Sequence, residues 1–346
     1  MPSGRTRPPL WQVDVLPGLE DGARSEIEAL ARRERPVAVE EVGDGWLRVR
    51  DERRDLLERA RTVVAVSRVV HVAVPRPRGL LGHEHLTRIA REARAATGGR
   101  PFTALRVVAA GAESTVMARL GGSLAAELGL PHDQADGDLV VRVVRDADRA
   151  GWEVHVRTTP RPLATRPWRV ARFPGSLNAA IAAHLVRLAG PRPGDRAVNL
   201  ACGAGTIAIE HLLAVRGATA VGVDLDGRRA LPAAAANAAA AGVAPRLSLA
   251  RADVARLPLA PASAAVLYAD LPYGDKIRSA TPPEELYTGL LAEAARVARP
   301  GARLVVITED IARFARAVAG ARSWSLRSRA RVFQSGHRPE IFLLGD

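Results

Sequence analysis

The spacing of apolar and polar positions changes along the chain. Over the first 75 residues, short apolar runs predict strands at 11–15 and 69–74, and amphipathic stretches predict helices at 20–33 and 50–60. Between them, Gly43-Asp44-Gly45 separates two apolar runs and is a strong hairpin signal. This order of strand, helix, two strands, helix and strand predicts a ferredoxin-like α+β domain over residues 8–75.

A second mixed pattern covers residues 76–160. It predicts two helices, at 86–96 and 114–128, and three strands, at 102–109, 139–145 and 152–158. We therefore expect a second α+β domain in this part of the chain. The stretch at 161–176 is rich in proline and arginine and predicts an ordered linker.

From residue 177 to 346, short apolar runs alternate with helical stretches. This alternation predicts a doubly wound parallel sheet, with strands at 197–200, 220–223, 246–249, 264–268 and 303–307. Two last runs, at 329–333 and 340–344, flank a polar loop and predict a C-terminal antiparallel hairpin.

A glycine-rich turn follows the first of these strands, in Asn199-Leu-Ala-Cys-Gly-Ala-Gly-Thr-Ile-Ala-Ile-Glu210. Gly203 and Gly205 permit a tight turn and a close approach of backbone to a ligand. Asp224 ends the next strand, where a carboxylate accepts hydrogen bonds from ribose hydroxyls, and Asp253 follows the third strand, where it can meet an adenine amino group. The set predicts a nucleoside site, although the glycine pattern alone equally suits a dinucleotide enzyme.

The segment Asp270-Leu-Pro-Tyr-Gly274 ends the fourth predicted strand and favours methyl transfer over hydride transfer. An exocyclic amine on a heteroaromatic base is a poor nucleophile, because its lone pair is delocalised into the ring. Asp270 and a backbone carbonyl at Leu271 or Pro272 can accept its two N–H groups, and Tyr273 can stack on the base. Since the methyl donor is already activated, alignment and charge stabilisation are the main catalytic requirements.

Composition adds a partner class and a compartment. The formal net charge is +13, and Lys276 is the only lysine among 50 basic residues, so an arginine-rich genome accounts for part of the charge. The excess still favours a polyanionic partner such as nucleic acid. The single cysteine, Cys202, excludes an internal disulfide. Without a secretory leader or an apolar run of about 18 residues, we expect a cytoplasmic monomer with no membrane contact.

These motifs resemble the class I S-adenosylmethionine-dependent amino methyltransferases. The resemblance lies in 199–210, 223–226, Asn237 and 270–274, and it is closest to the THUMP-domain tRNA guanine-N2 methyltransferases. Leu16-Pro-Gly-Leu-Glu20 and residues 162–189 extend it upstream. It implies a Rossmann-like methyltransferase domain over 177–346, preceded by the ferredoxin-like domain and, over 76–160, a THUMP RNA-binding domain.

The resemblance also implies roles for individual residues, with S-adenosyl-L-methionine as cofactor and tRNA as partner. Asp270, Leu271, Pro272 and Tyr273 are predicted to hold the guanine amine. The predicted cofactor residues are Asn199, Ala201, Gly203, Gly205, Thr206, Asp224 and Asp253. The predicted RNA contacts are Arg166, Trp168, Lys276, Arg278, His337 and Arg338. The chain departs from the family pattern at Asn199, where aspartate is frequent, and at Leu271, where proline is frequent.

Several alternatives stay open at this point. In the first alternative function, the substrate is ribosomal or other structured RNA. In the second, it is a glutamine amide of a protein. In the third, the chain is a non-catalytic RNA-binding protein. For Trp168 we favour an anchor for the linker over a base contact, and His337 and Arg338 suit a solvated turn at least as well as an RNA contact. We expect no metal, because His83-Glu-His85 has no further ligands at metal spacing.

Overall fold

A computed structural model describes residues 7–32, 35–146, 149–271, 282–334 and 336–345. The chain forms two compact units. The first contains the residues up to Val15 together with Ala23–Ala164, and the second contains Leu16–Gly22 together with the residues from Thr165 onward.

The first unit is built on a seven-stranded sheet with strand order β2-β3-β1-β4-β7-β6-β5. Its strands are β1 Leu10–Asp14, β2 Ala38–Gly43, β3 Trp46–Arg50, β4 Ala65–Val72, β5 Leu105–Ala109, β6 Leu139–Arg145 and β7 Trp152–Arg157. Its helices are α1 Glu20–Ala31, which enters this unit at Ala23, α2 Arg54–Arg59, α3 His83–Thr97 and α4 Thr115–Leu128. Gly45, at φ +79°, makes the tight turn of the predicted β2–β3 hairpin.

Both predicted N-terminal domains contribute strands to this one sheet. β4, from the first of them, pairs antiparallel with β7, from the second, with Val70 opposite Val154. Apolar residues of α3 and α4 pack against β4 to β7, whereas α1 and α2 pack against β1, β3 and β4. The sheet is therefore continuous, with a separate apolar cluster for each pair of helices.

The second unit contains another seven-stranded sheet, with strand order β10-β9-β8-β11-β12-β14-β13. Its strands are β8 Arg196–Leu200, β9 Thr219–Asp224, β10 Leu247–Arg251, β11 Ala264–Asp270, β12 Ala298–Thr308, β13 Ser325–Arg331 and β14 Glu340–Gly345. Its helices are α5 Ala179–Ala189, α6 Thr206–Ala214, α7 Ala230–Ala240, α8 Pro283–Val297 and α9 Ile311–Gly320.

The first five of these strands are parallel and the last two form an antiparallel hairpin. The predicted Rossmann-like fold is thereby confirmed. Central strand β11 is buried at every position before Asp270, because α5 and α6 cover one face of the sheet and α8 and α9 the other. No helix in the described ranges is long and apolar enough to cross a membrane.

The segment Leu16–Gly22 belongs to the second unit although it comes early in the chain. Leu19 is fully buried in the same apolar cluster as α5 and α6. The Phe333 N–H donates to the Pro17 carbonyl at 2.9 Å. Gly18 lies at φ +92°, and a Cβ there would be 2.1 Å from the Arg331 carbonyl oxygen, so only glycine fits.

Candidate functional site

The two segments singled out in the sequence lie at the ends of neighbouring strands. β8 and β11 are paired in parallel, with Leu200 opposite Ala269. The glycine turn begins at Ala201 and the acceptor segment at Asp270, so both start one residue beyond this pair. The sheet adds strands in opposite directions from this point, β9 on one side and β12 on the other. Ligands of open α/β sheets bind in the crevice at such a reversal.

The glycine turn has a backbone that few side chains tolerate. Ala201, Gly203 and Gly205 have positive φ angles of 48°, 51° and 78°. For Ala201 this left-handed conformation costs about 1 kcal/mol. A Cβ at Gly205 would lie 3.1 Å from the Ala234 Cβ, so glycine lets α6 begin close against α7. These residues bring backbone, rather than side chains, to the carboxyl end of β8.

Asp224 holds this turn in place from the end of β9. Its Oδ2 accepts the Gly203 N–H at 2.8 Å, and its Oδ1 accepts the Asp226 N–H at 2.9 Å. A carboxylate oxygen has two lone pairs, so each oxygen keeps acceptor capacity for a ligand hydroxyl. Asp224 therefore fixes the turn and can still receive a ribose.

Asn199 is buried beneath the turn, where it supports the start of α6. Its Oδ1 accepts the Ala208 N–H at 3.3 Å, and its Nδ2 donates to the Leu200 carbonyl at 3.3 Å. The N-cap of α6 is Gly205, which has no side chain to satisfy the first free N–H groups of the helix. Asn199 supplies that acceptor from the preceding strand.

Three more residues come after the glycine-turn strand and its two neighbours in chain order, β9 and β10. Asp253 follows β10, and its Oδ1 accepts the Ala255 N–H at 2.9 Å. Leu225, to which the sequence analysis assigned no role, lies directly after Asp224 and is 48% exposed. The sequence feature that could have identified Leu225 is an aliphatic residue directly after a carboxylate at the end of a strand. Cys202 is buried, and burial together with the Asp224 carboxylate raises the pKa of its thiol, which disfavours the thiolate that nucleophilic chemistry needs.

The linker preceding α5 forms part of the site, which the sequence did not reveal. Fully buried Asn237 of α7 accepts the Ala171 N–H at 2.8 Å and donates to the Ala171 carbonyl at 3.1 Å. It also donates to the Ala204 carbonyl, in the glycine turn, at 3.2 Å. Phe173 lies beside Gly203, with a ring carbon 3.6 Å from the position of an added Cβ. The sequence feature that could have pointed to this contact is a single asparagine, Asn237, within an alanine-rich helix.

The structure corrects two of the predicted RNA contacts. Arg166 is 8% exposed, and its Nε donates to Glu210 Oε1 of α6 at 2.8 Å. Trp168 is buried among apolar residues of α5 and α6. Burial removes both side chains from any surface that RNA can contact, so we assign them a structural role in tying the linker to the second unit.

The other predicted contacts lie at the carboxyl edge of the sheet or outside the described residues. Leu271 is buried, and its N–H donates to the Ile307 carbonyl at 3.0 Å. His337 and Arg338 are exposed in the β13–β14 loop, and His337 Nδ1 lies 2.9 Å from Glu309 Oε1. Because Glu340 pairs with Thr308 at the end of β12, this loop lies at the same edge as Asp270. Predicted Pro272, Tyr273, Lys276 and Arg278 fall outside the described residues.

The site therefore combines three features. A glycine turn lies at the sheet reversal, the carboxylates of Asp224 and Asp253 lie at or just beyond the ends of the next two strands, and Asp270 ends the neighbouring strand β11. Together with the strand order, this site defines a Rossmann-like domain of the class I methyltransferase type. Within the described part of the chain, no cluster of three or more His, Cys, Asp or Glu side chains could hold a metal ion.

A family model described as RMKL-like, methyltransferase domain (UPF0020) matches residues 166–340, and the chain belongs to this family. A tRNA (guanine(6)-N2)-methyltransferase of Thermus thermophilus is 32% identical over 250 residues, which are 71% of this chain and 69% of that protein. One of Archaeoglobus fulgidus is 31% identical over 176 residues, 44% of each. The crystal structure of TrmN from Thermus thermophilus superimposes with a TM-score of 0.75 at 27% identity, covering 97% of this chain and 99% of that one.

Proposed function

We propose that the chain is an S-adenosylmethionine-dependent methyltransferase that methylates the N2 amine of guanine 6 in tRNA. The observation that carries this proposal is the placement of Asp270 beside the glycine turn, at the ends of hydrogen-bonded neighbouring strands. The base and position come from the names of the relatives in Thermus and Archaeoglobus. Those names favour tRNA over the ribosomal RNA and protein alternatives.

The residues present fit the cofactor. Asp224 keeps lone pairs for the ribose hydroxyls while it holds Gly203, and Leu225 offers an exposed apolar face to the adenine. Asp253 is the predicted acceptor for the adenine amino group, and the turn at Ala201–Gly205, with its positive φ angles, is the predicted backbone cradle for the rest of the molecule. When bound, the cofactor supplies an electrophilic methyl group on a sulfonium.

The chain's own contribution to the reaction is orientation and charge. The Asp270 carboxylate accepts one N–H of the guanine amine, which fixes the direction of the nitrogen lone pair and stabilises the positive charge that develops on nitrogen. A backbone carbonyl at Leu271 or Pro272 is the second acceptor in this proposal, and the Leu271 N–H, which donates to the Ile307 carbonyl, holds this segment to β12. Pro272 and Tyr273 complete the amine-holding turn in this proposal. After transfer, Asp270 takes the surplus proton.

RNA binding is the remaining part of the proposal. The net charge of +13 suits a polyanion, and the His337–Arg338 loop lies at the edge where Asp270 ends its strand. We assign the remaining RNA contacts to the first unit, in its THUMP-like portion over residues 76–160. A base within a paired stem is inaccessible to such a site, so guanine 6 must be extruded for methylation.

A substrate series tests the assignment directly. Incorporation of tritiated methyl is measured with tRNA transcripts that carry guanosine, inosine or adenosine at position 6; inosine keeps the guanine ring but lacks the N2 amine. We expect label on the guanosine transcript alone. Equal label on the inosine transcript would exclude N2, and label appearing only in ribosomal RNA or protein fractions would favour those alternatives.

The role of Asp270 is tested with Asp270→Asn, which keeps the shape and removes the charge. We expect kcat to fall about 10²- to 10³-fold, with the affinity for S-adenosylhomocysteine unchanged. The matched control, Glu285→Gln, removes an exposed carboxylate from α8 and should be fully active. Near-normal turnover by Asp270→Asn would remove it from the mechanism.

A further inference from the structure

Arg169 lies on the linker beside the glycine turn and has an unusual set of partners. Its Nη2 donates to the Leu177 carbonyl at 2.8 Å and to Thr206 Oγ1 at 3.1 Å. Its Nε is buried and makes no hydrogen bond with any residue that the structure describes. Both acceptors are neutral oxygens, and one of them belongs to the first residue of α6.

The electrostatic surroundings of this guanidinium favour an additional anion. Burial lowers the pKa of Arg169; Glu210 raises it and Arg166 lowers it further. Glu210 is already bonded to Arg166, and no carboxylate in the described ranges forms an ion pair with Arg169. A partly buried cation without a direct counter-ion is costly, and the nearby start of α6 adds positive potential.

The position of Arg169 indicates which anion would complete the arrangement. Asn237 fastens Ala171, two residues further along the linker, to Ala204 of the glycine turn. Arg169 reaches the same turn at Thr206, whereas Asp224 ends β9 and Asp253 follows β10, both on the β9 side of β8. If those two carboxylates hold the ribose and adenine, the amino-acid end of the cofactor extends away from them, toward β8 and the start of α6.

We propose that Arg169 binds the carboxylate of the amino-acid portion of the cofactor. The inference rests on the proposed function, because it assigns a further residue to that cofactor site. A guanidinium N–H donates a charge-assisted hydrogen bond to a carboxylate, and such bonds are among the strongest in proteins. Because Nη2 already donates to the Leu177 carbonyl and to Thr206 Oγ1, the donor that lacks a partner is Nε. The buried Nε would then gain the partner that it lacks.

The test compares two ligands that differ in that carboxylate. S-adenosylhomocysteine contains the amino-acid portion, and methylthioadenosine retains the nucleoside and sulfur without it. Dissociation constants are measured by calorimetry on the full chain. We expect Arg169→Met to weaken the binding of S-adenosylhomocysteine by about 10- to 100-fold, because one charge-assisted contact is lost. The affinity for methylthioadenosine should be unchanged. The affinity of Arg169→Lys should fall between those of the unmodified protein and Arg169→Met, because lysine keeps the charge but lacks the Nε donor and the planar guanidinium.

One control variant and three possible outcomes make the result unambiguous. Arg172→Met, an exposed arginine on the same linker, should leave both affinities unchanged. An equal loss for both ligands in Arg169→Met would show that the residue merely positions the linker and would overturn the inference, as would an unchanged S-adenosylhomocysteine affinity. If the unmodified protein binds neither ligand, the cofactor assignment itself fails, which is a separate result.

Discussion

Replacing Asn237 with alanine should release the linker from the glycine turn while leaving α7 intact. The substitution removes three hydrogen bonds, two to Ala171 and one to Ala204. At about 1 kcal/mol each they sum to about 3 kcal/mol. Alanine recovers about 0.5 kcal/mol through its higher helix propensity. Ala171 is partly exposed, so water can reach its freed groups. A net loss of about 2 to 3 kcal/mol follows.

Hydrogen exchange at Ala171 is the most direct assay, because this amide donates to the removed side chain. If the linker opens locally, 2 to 3 kcal/mol corresponds to an increase of about 30- to 150-fold in its exchange rate. Asn237→Asp keeps the acceptor but turns a negative charge toward two carbonyls, and should have at least as large an effect. The S-adenosylhomocysteine affinity should fall in both variants.

The matched control is Ala236→Asn, which places asparagine on the exposed side of the same helix. It measures the helix-propensity difference without touching the linker, so the exchange rate of Ala171 should not change. Unaltered exchange at Ala171 in Asn237→Ala, with a stability loss below about 0.5 kcal/mol, would refute the reasoning.

Two further predictions concern the core of the second unit. Leu19→Ala should lower the free energy of unfolding, measured by denaturant titration, by about 2 to 5 kcal/mol, because Leu19 is fully buried. Leu213→Ala, at a residue that is 38% exposed, should lower it far less. Equal losses would contradict the core position of Leu19. Burial lowers the pKa of His211 from 6.5 to about 4. The unfolded chain therefore takes up a proton that the folded chain resists, and stability should fall by about 3 kcal/mol as the pH drops from 6.5 to 4. His211→Gln should lose that component of the pH dependence, and an unchanged profile would contradict it.

Features written in local sequence could be predicted, because their physical causes are local. Positive φ at Gly203 and Gly205 follows from the tight strand-to-helix turn that those glycines permit. The alternation of apolar runs with helices led to the parallel sheet, and the polar loop before Glu340 led to the C-terminal hairpin. Adjacency of β8 and β11 follows from the strand order expected of a doubly wound sheet, which brings Asp270 to the glycine turn.

Features that depend on distant partners could not be predicted. Leu19 packs with α5 and α6, more than 150 residues away in sequence, and nothing around it distinguishes that partner from its own neighbours. Arg166 resembles a surface arginine until Glu210 is placed beside it inside the second unit. The pairing of β4 with β7 likewise joins two patterns that each read as a separate domain. In all three, the information lies in the complementarity of two segments.

Three polar side chains of the site form hydrogen bonds with backbone groups of the glycine turn, the linker or the start of α6. Asn199 supports the start of α6, Asp224 holds Gly203, and Asn237 fastens Ala171 to Ala204. Methyl transfer to an aromatic amine requires alignment more than a strong base, so a fold that fixes the glycine turn and the linker from three directions provides most of what the chemistry needs. Substitutions at these supports should therefore impair cofactor binding before they impair the methyl-transfer step, whereas Asp270 should show the opposite order.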